Sequence, residues 1–137
     1  MNIIICGAGR VGSTISKMLL EQNHSITMID QSSDDIQKIN ESLDVKAIVG
    51  KATSPAILEK ANTKDADMII AVTRNDEINM LICQIAFSLF QVPKKLQELD
   101  SKNILILNIL DYLTEKIYQL IILFLQKLKL QNLFSEN

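Results

Sequence analysis

Residues Ile3 to Ser13 read IIICGAGRVGS: an apolar run, a glycine-rich turn and the opening of a helical period. Ile3–Cys6 is short, continuous and apolar, the pattern of a strand buried on both faces. Val11, Ile15, Met18 and Leu19 then recur at three- and four-residue steps and mark one face of a helix. Gly7, Gly9 and Gly12 form GxGxxG between strand and helix, the context in which that pattern signifies a dinucleotide loop. Gly7 permits the tight turn, Gly9 lets backbone approach a pyrophosphate with no Cβ in the way, and Gly12 lets the helix lie close on the strand. The N–H groups of the first helical turn and the positive end of its dipole then face the anionic bridge. A glycine turn required only for packing is the alternative reading of the same residues.

Working outward, Ser25–Asp30 is a second strand, and Asp30 ends it 18 residues after Gly12. A carboxylate there accepts hydrogen bonds from the adenosine ribose hydroxyls and repels a 2′-phosphate, which favours NAD+ or NADH over the phosphorylated forms. Val45–Val49 and Asp67–Thr73 are further strands. Between them, Ile36, Ile39 and Leu43 describe a helix face capped by Ser32 or Ser33, and Pro55 opens a short helix with Ser54 as its cap. Ile78, Leu81, Ile82, Ile85 and Leu89 mark a long helix that stops before Pro93. Strand and helix alternate through short connections, so the expected fold is α/β, an incomplete Rossmann-like doubly wound parallel sheet with helices on both faces.

A chain of 137 residues with 47% apolar content buries one core, and a second domain of ordinary size does not fit. The net charge of −2 leaves no basic field for nucleic acid or an anionic lipid surface. Cys6 and Cys83 match neither a metal-site nor a redox spacing and read as buried free thiols in a reducing compartment. Residues 1–5 carry no export signal. Beyond the first strand the longest apolar run is Leu120–Leu125, well short of the ~20 residues of a spanning helix. The reading is a cytoplasmic protein without direct membrane insertion.

At about Leu96 the composition changes: residues 96–137 lack Gly, Ala, Val, Pro, Arg, Met, Cys and His, and Leu, Ile, Lys, Asn and Gln dominate. The fold wants a fifth strand near Pro93, yet KKLQELDSKN (Lys94–Asn103) is a poor one. Ile104–Leu130 reads instead as one or two Leu/Ile-rich helices, apolar on more than one face. The expected organisation is therefore a nucleotide-binding domain over residues 1–95 and an atypical helical tail over 96–137, which packs on the sheet edge or on a second copy, or else is foreign to the domain.

Proton-transfer candidates are scarce. His24 falls in the turn before the second strand, at the amino end of the sheet, opposite the cofactor. Tyr112 and Tyr118 sit in the tail without a Tyr-x-x-x-Lys spacing. Asp76 and Glu77 start a helix, where carboxylates serve as cap and dipole partners. No catalytic residue and no metal-ligand set emerges, and the cofactor reads as a signal, not a reagent. Arg10 and Arg74 lie in loops at the carboxyl ends of strands; each either touches a phosphate or is a solvated loop charge. Gly50–Thr53 either borders the adenine or is a plain turn.

Over residues 1–95, the segments MNIIICGAGRVGSTIS, ITMID, VGKATSPAILEKAN and DADMIIAVTRNDEINMLICQIA resemble the N-terminal domain of the TrkA family, the cytosolic NAD-binding components of Trk-type potassium uptake systems, also called the RCK or KTN module. The resemblance implies a regulatory NAD(H)-binding subunit without turnover, assembled into homo-oligomers on the inner face of the membrane beneath a potassium transporter subunit that it gates. By motif, Gly7, Ala8, Gly9, Arg10 and Val11 would contact the pyrophosphate, with Gly12 completing the turn, Asp30 the ribose, and Thr73 with Arg74 the far side of the ligand. The family continues after Pro93 with a strand of the type RIARIRS, whereas this chain reads KLQELDS, placing Glu98 where a ligand-facing arginine is expected. A truncated gene with a shifted reading frame is the expected cause, and a genuine alternative terminus the other option. Two further functional readings stand beside this one: a small NAD-dependent oxidoreductase or accessory protein, and a non-functional remnant.

Overall fold

The computed structural model of the chain describes residues 1–99 and 103–107. Its elements alternate as β1 (Asn2–Cys6), α1 (Arg10–Glu21), β2 (Ser25–Asp30), α2 (Ser33–Ser42), β3 (Lys46–Val49), α3 (Pro55–Lys60), a 3-10 turn (Thr63–Asp65), β4 (Met68–Ala71), α4 (Asp76–Phe90), β5 (Lys94–Leu99) and β6 (Asn103–Leu107). The six strands form one sheet in the order β3-β2-β1-β4-β5-β6. Pairing is parallel from β3 through β5, and only the edge pair β5–β6 is antiparallel. This is the doubly wound, Rossmann-like sheet that the strand–helix alternation implies.

Period-two alternation divides the strand residues between two cores. Ile3, Ile5, Ile26, Met28, Met68 and Ile70 pack with Ile15 and Leu19 of α1 and Ile36 and Ile39 of α2. Ile4, Cys6, Ile29, Ile48, Ile69 and Ala71 pack with Leu58 of α3 and Ile82, Cys83 and Ala86 of α4. Strands sandwiched between helix layers must be apolar at every position, which is why β1 and β4 read as unbroken apolar runs. Each of these large side chains contributes about 1.5–3 kcal/mol by leaving water.

Helix boundaries follow local chemistry. Ser32 caps α2, its hydroxyl accepting from the Asp35 N–H at 3.2 Å. Ser54 occupies the cap position of α3, before Pro55, but makes no side-chain cap bond. α4 ends at Phe90 through Gln91, whose φ of 56° turns the chain before Pro93.

Two expectations are corrected. Lys94–Leu99, read as a poor strand, pairs with β4 from Met68↔Lys94 to Ala71↔Gln97 and so carries the sheet across the boundary placed at residue 95. The helical reading that began at Ile104 gives way over Ile104–Leu107 to strand β6, and from residue 108 onward it lies outside the described residues. The helix expected before Pro93 is present as α4; its buried face is Asn79, Ile82, Cys83 and Ala86, while Ile78, Leu81 and Leu89 are exposed. Small Cys83 and Ala86 let the helix sit close on the sheet, and the bulkier residues are displaced to its flanks.

Candidate functional site

The carboxyl ends of β1, β2, β3 and β4 converge, with Cys6 paired to both Ile29 and Ala71 and Asp30 paired to Val49. In an open parallel sheet the reversal of strand order beside β1 leaves a crevice at this edge. Gly7 leaves β1 with φ +117°, a conformation that side chains resist, and a Cβ there would lie 2.8 Å from the Val72 carbonyl oxygen. At Gly12 a Cβ would stand 1.8 Å from the Gly7 oxygen, so the second turn of the motif needs glycine for the protein's own packing. Gly9 differs from both. Its backbone is extended, at φ −76° and ψ −162°, and a Cβ would meet nothing within 4 Å. Neither strain nor an internal neighbour requires glycine there.

Gly9 is also the cap residue of α1, and it has no side chain with which to cap. The first turn of α1 contains no acidic residue, whereas α2 has Asp34 and Asp35 and α4 has Asp76 and Glu77, with Ser32 and Asn75 as their caps. The positive end of α1 is thus left without protein counter-charge in its own first turn, a ready anion site. Gly9 and Arg10 are exposed, while Gly7 and Ala8 are buried and Val11 is half-buried. Ser13 steadies the turn by donating its hydroxyl to the Gly9 carbonyl.

Half-buried Asp30 closes the second side. Its Oδ2 accepts from the Ala8 N–H at 2.7 Å and its Oδ1 from the Ser32 N–H at 2.8 Å, while its carbonyl oxygen accepts from the Gly50 N–H at 2.9 Å. The carboxylate is therefore held against the glycine turn by hydrogen bonds to neighbouring amides, and each of its oxygens retains lone-pair capacity for hydroxyl donors. Exposed Val49 lies beside it at the end of β3.

Thr73 and Arg74 form the third side, past β4. Arg74 is exposed and Thr73 half-buried. The Thr73 hydroxyl donates to Asn79 Oδ1 at 2.6 Å and accepts from the Asn75 N–H at 3.3 Å, so its orientation is set by the protein. Fully buried Asn79 is the residue of this region that sequence reasoning missed; its only signal was a polar side chain amid the apolar face of α4.

His24 lies at the opposite, amino edge, its Nδ1 3.0 Å from the amino terminus. Burial, and then the adjacent ammonium, push its pKa below the usual value. Cys6 and Cys83 are free and buried. Burial, followed by the neighbouring Cys83 and Asp30, raises the Cys6 pKa and keeps the thiol protonated. Among the described residues no group of three or more His, Cys, Asp or Glu side chains is placed to hold a metal ion, and no helix is long and apolar enough to cross a membrane.

A family model described as the TrkA-N domain matches residues 3–120. The chain is 39% identical over 116 residues to the Trk system potassium uptake protein TrkA of Vibrio alginolyticus, covering 85% of this chain and 24% of that one. To the TrkA of Halomonas elongata it is 42% identical over 96 residues, 70% of this chain and 21% of that one. It spans about a quarter of the length of these relatives. Among solved structures, the GsuK channel bound to NAD superimposes with a TM-score of 0.63 at 25% identity, covering 70% of this chain and 17% of the channel chain.

Proposed function

The chain belongs to the TrkA-N domain family, and on that footing we propose that it is an NAD(H)-binding regulatory unit of a Trk-type potassium uptake system. It works without turnover, on the cytoplasmic face, in homo-oligomeric contact with a membrane potassium transporter subunit. Support comes from the names of its relatives, from the NAD-bound channel that shares its fold, and from the geometry of the glycine turn. The observation that carries the nucleotide reading is the open space over Gly9 at the uncapped start of α1, beside the carboxylate of Asp30.

In this reading the pyrophosphate lies along Gly7, Ala8, Gly9, Arg10 and Val11, with Gly12 keeping α1 pressed on the turn. Asp30 accepts from the adenosine ribose hydroxyls, and Thr73 with Arg74 bounds the far side. Nucleotide states that bind the alternative arrangements of the assembly unequally shift its populations by the difference in their affinities, and the transporter reads that shift.

Calorimetric titration with NAD+ and NADH tests the proposal. Saturable binding is expected for the native chain and its loss for Gly9→Val in a variant that still folds, since a Cβ at this position meets no other atom within 4 Å. A native chain that binds neither nucleotide, or a Gly9→Val variant that binds as well as the native chain, refutes it.

A further inference from the structure

β4 ends at Ala71, and the chain beyond it passes the glycine loop. Val72 still donates its N–H to the Cys6 carbonyl at 2.9 Å, the last bond of the β1–β4 pairing. The backbone groups of the next residue, Thr73, face the opposite way, and both go to Asn79: the Thr73 N–H donates to Asn79 Oδ1 at 2.9 Å, and the Thr73 carbonyl accepts from Asn79 Nδ2 at 3.1 Å. One side-chain amide thus makes both bonds that a paired strand would make, and a third comes from the Thr73 hydroxyl. Asn79 is fully buried, and unpaired polar atoms in such a place are costly. The same Val72–Thr73 peptide lies against the nucleotide loop, since a Cβ on Gly7 would stand 2.9 Å from the Val72 carbonyl carbon and 3.2 Å from the Thr73 nitrogen.

We propose that Asn79 is a positioning residue for nucleotide binding: its amide takes both backbone bonds of Thr73 and holds the Val72–Thr73 peptide against the glycine turn. This rests on the nucleotide reading above and adds to it a specific division of labour. The adenosine half depends on Asp30 at the end of β2, whereas the diphosphate and the far half depend on the peptide that Asn79 clamps. Asn79 belongs to the first turns of α4, so its bonds tie the Val72–Thr73 peptide to that helix.

The test compares two probes, NADH and AMP, on the native chain, on Asn79→Ala and on Thr73→Val. In folded Asn79→Ala, NADH affinity is expected to fall by about tenfold or more, the effect of losing two or three buried bonds, while AMP affinity falls by less than about threefold. Thr73→Val retains the backbone pair and removes the hydroxyl's bonds to Asn79 and to the Asn75 N–H, so a smaller split in the same direction is expected; where Asn79→Ala does not fold, this variant decides. General destabilisation would weaken both probes alike, so equal losses, or none, overturn the inference while leaving the nucleotide reading intact. Failure of the native chain to bind either probe removes both.

Discussion

At the scale of the single residue, the three glycines of the motif do different work, and mutation separates them. Gly12→Ala drives a methyl into the Gly7 carbonyl, and a loss of stability on the order of 3 kcal/mol or more is expected in denaturant titration. Gly9→Ala should cost no more than the roughly 1 kcal/mol of a poorer helix cap and should weaken NADH binding; a loss as large as that of Gly12→Ala would show that the space over Gly9 is not open. Asp30→Ala is expected to weaken NADH binding by about 1–3 kcal/mol through loss of charge-assisted bonds, measured by calorimetry. The motif, its acid and the turn were legible in the sequence because glycine and terminal-Asp spacing report directly on backbone geometry. Asn79 was not legible, because its partner is a backbone unit six residues earlier whose need for a bond appears only once the end of β4 is known.

At the scale of the element, α1 and α2 were readable from their apolar period, and β1 from a short apolar run that ends in a glycine turn. The edge of the sheet was not. KKLQEL lacks the β-branched and aromatic residues that favour strands, and it becomes β5 because β4 offers it an unpaired parallel edge, a tertiary demand that overrides propensity. NILIL, over Asn103–Leu107, is a short apolar run, and such runs do not distinguish strand from helix by period; antiparallel pairing with β5 decides. In α4 the apolar residues outnumber those that one face can bury, so the sequence alone could not fix the rotation of the helix about its axis. Ser32→Ala should cost about 1 kcal/mol by removing the α2 cap, read from the unfolding midpoint at constant slope.

At the scale of the whole molecule the two edges of the sheet carry different chemistry. The carboxyl edge gathers the glycine turn, Asp30 and Arg74; the amino edge holds His24 beside the amino terminus. Because the folded pKa of His24 is depressed, the unfolded chain binds the proton more readily, so the contribution of neutral His24 is complete at pH above its ordinary value of 6.5 and is lost as pH falls through the lower folded value. The melting temperature should therefore decline more steeply on acidification below about pH 6.5 in the native chain than in His24→Gln. Parallel slopes would show that this histidine does not report on folding.

Asp30 is the knot among three loops: its carboxylate and carbonyl together gather the amides of Ala8, Ser32 and Gly50. An engineer wishing to convert the coenzyme preference by deleting this negative charge would therefore loosen the mouth along with it. The neutral isostere made by Asp30→Asn keeps an acceptor oxygen and is the starting point for such a conversion, whereas Asp30→Ala removes the knot with the charge.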